Sequence, residues 1–324
     1  MFSVQQFYRT DISILRKMNY KVLLSNNVFD FLAFWKYDIA FIYFYRYGFF
    51  SALFAKFFQK KVIFTGGIDY LDSNYSSFLN LYIQRIFFRL CSFFSDLNII
   101  VSNSDLDNIK KFNSNLDLLK NPLSFHVIDL QKIENYPKIK KQKLVVTIAW
   151  MGRIENVFRK GVDKAVMVFN ELVKLDPEYR MLIIGPKGEG SIYIQNLINK
   201  LKLEDKIQLT GSINENDKLK ALMQSEIYMQ ISNYEGFGIA AIEAAACKNL
   251  VVHSNKGGLR DSIGNNGLIV CENEYSIIAK QILESIKTIS TQNKINQGII
   301  HIKKNFAYLN RLKDFKSFFK QIGI

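Results

Sequence analysis

Residues 234–247 read Tyr234-Glu235-Gly236-Phe237-Gly238-Ile239-Ala240-Ala241-Ile242-Glu243-Ala244-Ala245-Ala246-Cys247. The stretch joins a polar strand end, Ile231-Ser232-Asn233, to an alanine-rich helix through two glycines. Glu235 precedes the helix, and Glu243 lies inside it. Bare N–H groups at a helix N-terminus attract anionic oxygens, and glycine lets a ligand approach the backbone closely. A carboxylate at each end accepts hydrogen bonds from hydroxyls. The pattern suits a ligand that carries both phosphate and sugar. Taken alone, Glu235 would only complement the helix dipole, and Glu243 would be a solvated helix residue. The alanines around Glu243 argue against that, because they place its carboxylate close to a sheet, where it needs a partner.

Outward from this stretch, strands and helices alternate. In the second half, strands are expected at 144–149, 180–184, 206–210, 227–231, 250–253 and 267–270, with helices at 162–175, 192–201 and 217–223. In the first half, strands are expected at 21–25, 39–45, 61–64 and 97–101, with helices at 11–18, 51–59 and 76–94. That rhythm belongs to parallel sheets with crossover helices. Ligands of such sheets bind at the edge where strands turn into helices.

Three further groups fall at the same edge. Gly152-Arg153 follows one strand and Lys160-Gly161 opens the next helix, so two cations can neutralise a diphosphate. Arg159 is a substitute for Lys160. The turn Gly185-Pro186-Lys187-Gly188-Glu189-Gly190 reads equally as a plain turn or as a cover over base or phosphates, and Asn255-Lys256-Gly257-Gly258 reads the same way. Asp105-Leu106-Asp107 is discounted as a metal pair because it sits at an expected helix start, where Asp is favoured anyway.

The bulk numbers bound the partners. The chain has 324 residues, 48% apolar and 22% charged, which suits two globular domains. A formal net charge of +14 points to an anionic partner. Nucleic acid is the weaker choice, since the lysines are spread and no recognition motif is present. Three separated cysteines and three scattered histidines make a disulfide framework or a metal site unexpected and fit a reducing cytosol. Gln5, Gln6 and Arg9 stand where a leader peptide would need an apolar core. About two-thirds of the aromatic residues precede residue 140. Two readings stay open for 37–58: a plain aromatic core with solvated lysines, or a face whose basic residues, Lys56, Lys60 and Lys61, reach lipid headgroups.

Together, Gly152-Arg153 with Lys160-Gly161, Tyr234-Glu235-Gly236-Phe237-Gly238 with Glu243-Ala244, and Val251-Val252 through Gly257-Gly258 resemble the glycosyl transferases group 1 family of retaining enzymes. The resemblance is good over 144–271. It implies the α/β GT-B fold, two Rossmann-like domains with parallel sheets facing a central cleft that holds the active site. The expected division is 1–140 on the acceptor side, 141–305 on the nucleotide-sugar side, and a terminal helix, 306–324, returning to the first domain.

By this resemblance, Arg153 and Lys160 hold the donor diphosphate and Glu235 contacts the transferred sugar. Glu243 accepts from the ribose, and Gly236, Phe237, Gly238 and Ile239 meet the phosphates. Gly185, Lys187, Gly257 and Gly258 complete the donor site. No metal or other cofactor is expected, because two fixed cations can stabilise the developing phosphate charge. The implied partners are a nucleotide-sugar donor, a glycan or lipid-linked acceptor of cell-surface polysaccharide biosynthesis, and an anionic membrane surface. The expected location is cytoplasmic, peripheral on the inner membrane face.

The first half follows the family less closely. Asp11 to Leu15, Tyr37-Asp38-Ile39, Lys61 to Phe64, Ser95-Asp96-Leu97 and Asn121-Pro122-Leu123 match its pattern, but the opening strand and its glycine-rich loop have no counterpart. Where many members carry a histidine, this chain reads Thr65-Gly66-Gly67-Ile68-Asp69, so Asp69 is the candidate acceptor-side group. Two rivals remain: a sugar-nucleotide epimerase, whose acid/base groups cannot be assigned here, and a partner subunit that binds donor or another transferase without turnover.

Overall fold

The computed structural model describes residues 6–66, 68, 71–73, 76–271 and 274–324. The chain forms two compact units, Met1–Ile128 with Asn305–Ile324, and Asp129–Lys304.

Unit 1 opens with α1 (Gln6–Lys17) and then alternates β1 (Ile39–Tyr43), α2 (Tyr45–Phe57), β2 (Lys61–Thr65), α3 (Phe78–Phe94), β3 (Leu97–Ile99) and α4 (Asn103–Lys110). The strands form a parallel sheet in the order β1-β2-β3, with Ile39 opposite Lys61 and Ile63 opposite Leu97. Its core includes Ala52, Ala55, Val62, Phe64, Phe88 and Cys91. Ser102 caps α4 by accepting from Asp105 N at 3.1 Å, and the Asp105 carboxylate accepts from Ile68 N at 3.3 Å. Asp105 thus ties the start of α4 to the segment at Ile68.

The strand expected at 21–25 is not formed: the segment has no regular structure and joins no ladder among the described residues. Leu23 and Leu24 are more than half exposed, so no buried face holds the segment in register. α2 starts at Tyr45 rather than at 51, and β1 correspondingly stops at Tyr43.

Unit 2 holds α5 (Leu130–Glu134), β4 (Gln142–Ile148), α6 (Ile154–Lys160), α7 (Val162–Leu175), β5 (Arg180–Ile184), α8 (Glu189–Lys200), β6 (Ile207–Gly211) and α9 (Glu215–Gln224). After them come β7 (Ser225–Gln230), α10 (Ile239–Ala246), β8 (Leu250–His253), α11 (Leu259–Ser262), β9 (Leu268–Ile269), α12 (Tyr275–Ile286) and α13 (Ile289–Asn305). The sheet is parallel throughout, in the order β6-β5-β4-β7-β8-β9. Its inner strands carry near-continuous apolar runs because helices cover both faces. The strand order reverses between β4 and β7, and a crevice opens outside the carboxyl ends of two strands at such a point.

At the opposite edge, Lys141 ties three elements together. Its ammonium donates to Leu222 O, Ser225 O, Cys247 O and Asn249 Oδ1 at 2.7–3.2 Å, closing the C-terminal ends of α9 and α10. Burial pushes its pKa down to about 8.

The units divide at 128/129, ahead of the boundary placed near 140. Asp129 caps α5 by accepting from Lys132 N, and Glu134 pairs with Lys303 of α13, so the lysine-rich connector starts inside unit 2. The final helix, α14 (Tyr308–Gln321), belongs to unit 1. Its Phe315 and Phe319 pack with Ile14, Leu15, Ile63, Leu97 and Ile99. Arg311, fully buried, donates to both Asp11 carboxylate oxygens at 2.6 and 2.9 Å and to Ser124 O and Phe125 O. Tyr43 donates to the same Asp11 carboxylate at 3.0 Å.

Candidate active site

Four loops meet at the carboxyl edge of the second sheet, and each leaves a strand that flanks or adjoins the β4/β7 switch point. The loop after β7 carries Glu235 and ends at Gly238, which starts α10 at φ 94° without a side-chain cap. The loop after β8 lies directly on it. Gly258 N donates to Glu235 O at 2.7 Å. A Cβ at Gly257, whose φ is +59°, would stand 2.2 Å from Glu235 O, so only glycine fits there. Gly258 packs equally closely on Gly236 and Phe237. On the other side of the switch point, Gly185, Gly188 and Gly190 press on the backbones of Ala149, Gly152 and Arg153. The glycine turns, each readable as a plain turn, are therefore packed backbone against backbone around the two central strands.

Arg153 is the exposed N-cap of α6, and Lys160 is the last residue of that helix. Lys160 was expected to open the following helix. Instead Gly161, left-handed at φ 63°, links α6 to α7. α6 escaped notice because its seven residues contain one fully buried apolar side chain, Val157.

Lys160 Nζ donates to Glu235 Oε2 at 2.5 Å, and Gln230 Nε2 donates to the same oxygen. Tyr228 in turn donates to Gln230 Oε1 at 2.9 Å. Glu235 is only 7% exposed. Burial alone would raise its pKa, but Lys160 and then Arg159 outweigh burial and hold the carboxyl below its ordinary value. Burial, with Glu235 and Glu243 nearby, pushes the Tyr228 hydroxyl well above its own. Glu235 is thus a fixed, ionised acceptor, and Tyr228 a fixed donor.

Glu243 has the partner its alanine surroundings demanded. Lys218 of α9 reaches both carboxylate oxygens, at 2.9 and 2.7 Å, and Glu215 at 3.2 Å. Burial lowers the Lys218 pKa, but the two glutamates more than reverse this.

More cations line the same edge. Lys164 donates to Asn233 Oδ1 at 2.6 Å, and its pKa is lowered by burial and then by the charge of Lys256. Two like charges in mutual range are relieved by a bound anion. Lys187 is exposed, with its stem against Gly211. Phe237 is buried, so its backbone rather than its ring is available to a ligand, and Ile239 is the first residue of α10. Asp69 lies outside the described residues.

Four contributors escaped the sequence reading: Gln230, Tyr228, Lys218 and Lys164. Gln230 left a faint signal, a polar residue at the end of an apolar strand. Lys218 left none, because its partner Glu243 is 25 residues away on another helix.

Known proteins share the sequence pattern over part of the chain, and others share the fold. Residues 131–301, just over half of the chain, match the family described as glycosyl transferases group 1. The chain belongs to that family. One of the subunits of human phosphatidylinositol N-acetylglucosaminyltransferase is 29% identical over 141 residues, 44% of this chain and 28% of that protein. GDP-mannose:cellobiosyl-diphosphopolyprenol alpha-mannosyltransferase of Xanthomonas oryzae is 33% identical over 100 residues, 30% of this chain and 26% of that protein. The matched segment therefore spans less than a third of either relative. Among solved structures, Anabaena HepE in complex with UDP and glucose superimposes with a TM-score of 0.73 at 16% identity, covering 90% of this chain and 81% of that one. That likeness establishes the fold, GT-B.

Proposed function

We propose that the chain transfers a sugar from a nucleotide-sugar donor to an acceptor hydroxyl, with retention of anomeric configuration and without a metal. The observation that carries this reading is the β4/β7 edge. There an ionised Glu235, held by Lys160 and Gln230, stands beside the uncapped start of α10, with Arg153 one short helix away. In the proposed reaction the bond between C1 and the diphosphate oxygen breaks and a bond from C1 to the acceptor oxygen forms. The acceptor proton passes to the departing phosphate. Arg153 and Lys160 stabilise the charge that develops on the leaving group. Glu235 orients the sugar hydroxyls. The backbone of Gly236, Phe237, Gly238 and Ile239 faces the phosphates. Glu243 shares its carboxylate between Lys218 and the ribose hydroxyls. Gly185, Lys187, Gly257 and Gly258 shape the nucleotide end.

HepE's complex with UDP and glucose makes a uridine diphosphate sugar the first donor to test. Phosphatidylinositol and diphosphopolyprenol in the relatives' names support a lipid-borne acceptor, met on the cytoplasmic face of a membrane. Transfer from GDP-mannose to an alpha-mannoside, in the second name, supports retention.

A second reading has its own observation. Gly66 occupies φ +112°, a conformation that side-chain-bearing residues rarely adopt, and a Cβ there would crowd the Phe44 ring at 3.2–3.3 Å, so a histidine at this position would be strained. On that reading the chain is a donor-binding partner without turnover. Transfer and hydrolysis assays across sugar donors separate the two: donor binding with no product from any acceptor selects the non-catalytic partner. Within the first reading, Glu243→Gln weakens nucleotide binding about tenfold, the order of one charge-assisted hydrogen bond. Glu235→Gln spares UDP and lowers use of the sugar donor. Equal, negligible effects of both would remove the site assignment.

A further inference from the structure

Unit 1 carries a surface that the donor site does not use. α2 and α3 lie side by side over the three-stranded sheet, with Ala52, Ala55, Phe88 and Cys91 turned into the core. Their opposite stripes are also apolar. Tyr47, Phe50 and Phe57 on α2, and Tyr82, Leu90 and Phe93 on α3, are between 40% and 84% exposed. Helical spacing gathers each set on one side, where a water-facing helix normally carries polar residues. Beside the end of α2, Phe34 stacks on Phe58 and holds Trp35, itself 71% exposed, in edge contact.

On the two helices themselves, charge has one sign, although Asp30 and Asp38 are exposed on the segments beside α2. Neither α2 (YRYGFFSALFAKF) nor α3 (FLNLYIQRIFFRLCSFF) contains an acidic residue. Arg46 and Arg89 are exposed within the same stripes; Arg89 also donates to Phe112 O at 3.0 Å and lies over the Phe112 ring, but no carboxylate neutralises it among the ion pairs of the described residues. The lysines that the sequence nominated for lipid contact are engaged elsewhere: Lys56 and Lys61 pair with Asp96, and Lys60 with Asp38.

We propose that this face of α2 and α3 docks on an anionic lipid bilayer, with its rings at the interface and Arg46 and Arg89 on headgroup phosphates. Rings with wet edges favour the headgroup level, and basic residues there gain from the negative surface potential. A second copy of the chain fits worse, because two identical faces oppose arginine with arginine. The proposal does not depend on the donor site, so either can fail alone.

The test is sedimentation of the full chain with phosphatidylcholine vesicles, with and without phosphatidylglycerol, at low and high salt. Binding should be roughly tenfold or more stronger on the anionic vesicles and should fall with salt. Phe57→Ser with Phe93→Ser should reduce it by a similar factor at an unchanged thermal midpoint. Arg46→Glu with Arg89→Glu should erase the anionic preference. Lys200→Glu with Lys202→Glu, in unit 2, removes as much positive charge and should change nothing, which separates this face from the basic excess of the whole chain. In a Trp150→Phe background, Trp35 emission should shift to the blue on the vesicles. Equal binding to both vesicle types would overturn the proposal, as would indifference to the α2/α3 substitutions. A concentration-dependent dimer that those substitutions abolish would overturn it too.

Discussion

At the residue scale, the site is a set of buried carboxylates whose charge is fixed by lysines that are distant in sequence. Glu235 and Glu243 are visible in the sequence because glycine and alanine surround them. Lys160 is visible as a cation near a glycine. Lys218 is not, since nothing local marks a helix lysine that turns inward to a glutamate on another helix. It makes the clearest single-residue prediction. Lys218→Met leaves Glu243 buried without its bidentate partner, which should cost about 3 kcal/mol of stability. Urea unfolding measures the loss. UDP affinity should fall with it, because the Glu243 carboxylate is no longer held in place. An unchanged unfolding midpoint would mean that the pair contributes nothing.

At the scale of elements, strands and helices in unit 2 were legible because buried parallel strands are short apolar runs and their crossover helices are amphipathic. α7 occupies the expected 162–175, and β5 the expected 180–184. Weakly buried segments were not legible in the same way. The piece at 21–25 has strand-like composition but no sheet partner among the described residues, and α6 has too small a buried face to show a period. The packing of loop on loop was also hidden, because it uses backbone rather than side chains. It is nevertheless sharply testable. Gly257→Ala sets a methyl 2.2 Å from Glu235 O at a left-handed φ, so the two loops must part. Destabilisation of about 1–3 kcal/mol is expected, with loss of nucleotide binding. A wild-type thermal midpoint and wild-type affinity would show that the loops are not clamped there.

At the scale of the molecule, chain length and the alternation of strands and helices point to two α/β units, while the family is legible only through its glycine and glutamate motifs. What neither shows is the closure of unit 1, where Arg311 and Asp11 meet across 300 residues of chain. One buried histidine in each unit sets the acid response. Burial holds the His253 pKa down at about 4, and burial with Arg311 holds that of His126 well below its usual value. The unfolded chain takes up a proton at each histidine below about pH 6.5, whereas folded His253 does not until about pH 4. The unfolded state therefore binds more protons in that window, and stability falls with the pH. His253 alone should account for up to roughly 3 kcal/mol between pH 6.5 and 4. His253→Asn should remove about one proton's worth of slope from that part of the profile in urea titrations, leaving the share of His126. A slope left unchanged by the substitution would show that His253 takes no part in the acid response.

On the proposed function, the β4/β7 edge of unit 2 grips a nucleoside diphosphate through cations and exposed amides. Calorimetric titration with UDP, on the wild-type chain and on Arg153→Ala, tests it most directly. Arg153 is exposed, so its removal should leave folding intact. Saturable, salt-sensitive binding that weakens about tenfold in the variant is the predicted result, the order expected for a lost charge-assisted contact. If UDP, GDP and ADP all fail to bind the folded wild-type chain, or if Arg153→Ala binds as tightly as wild type, the claim is contradicted.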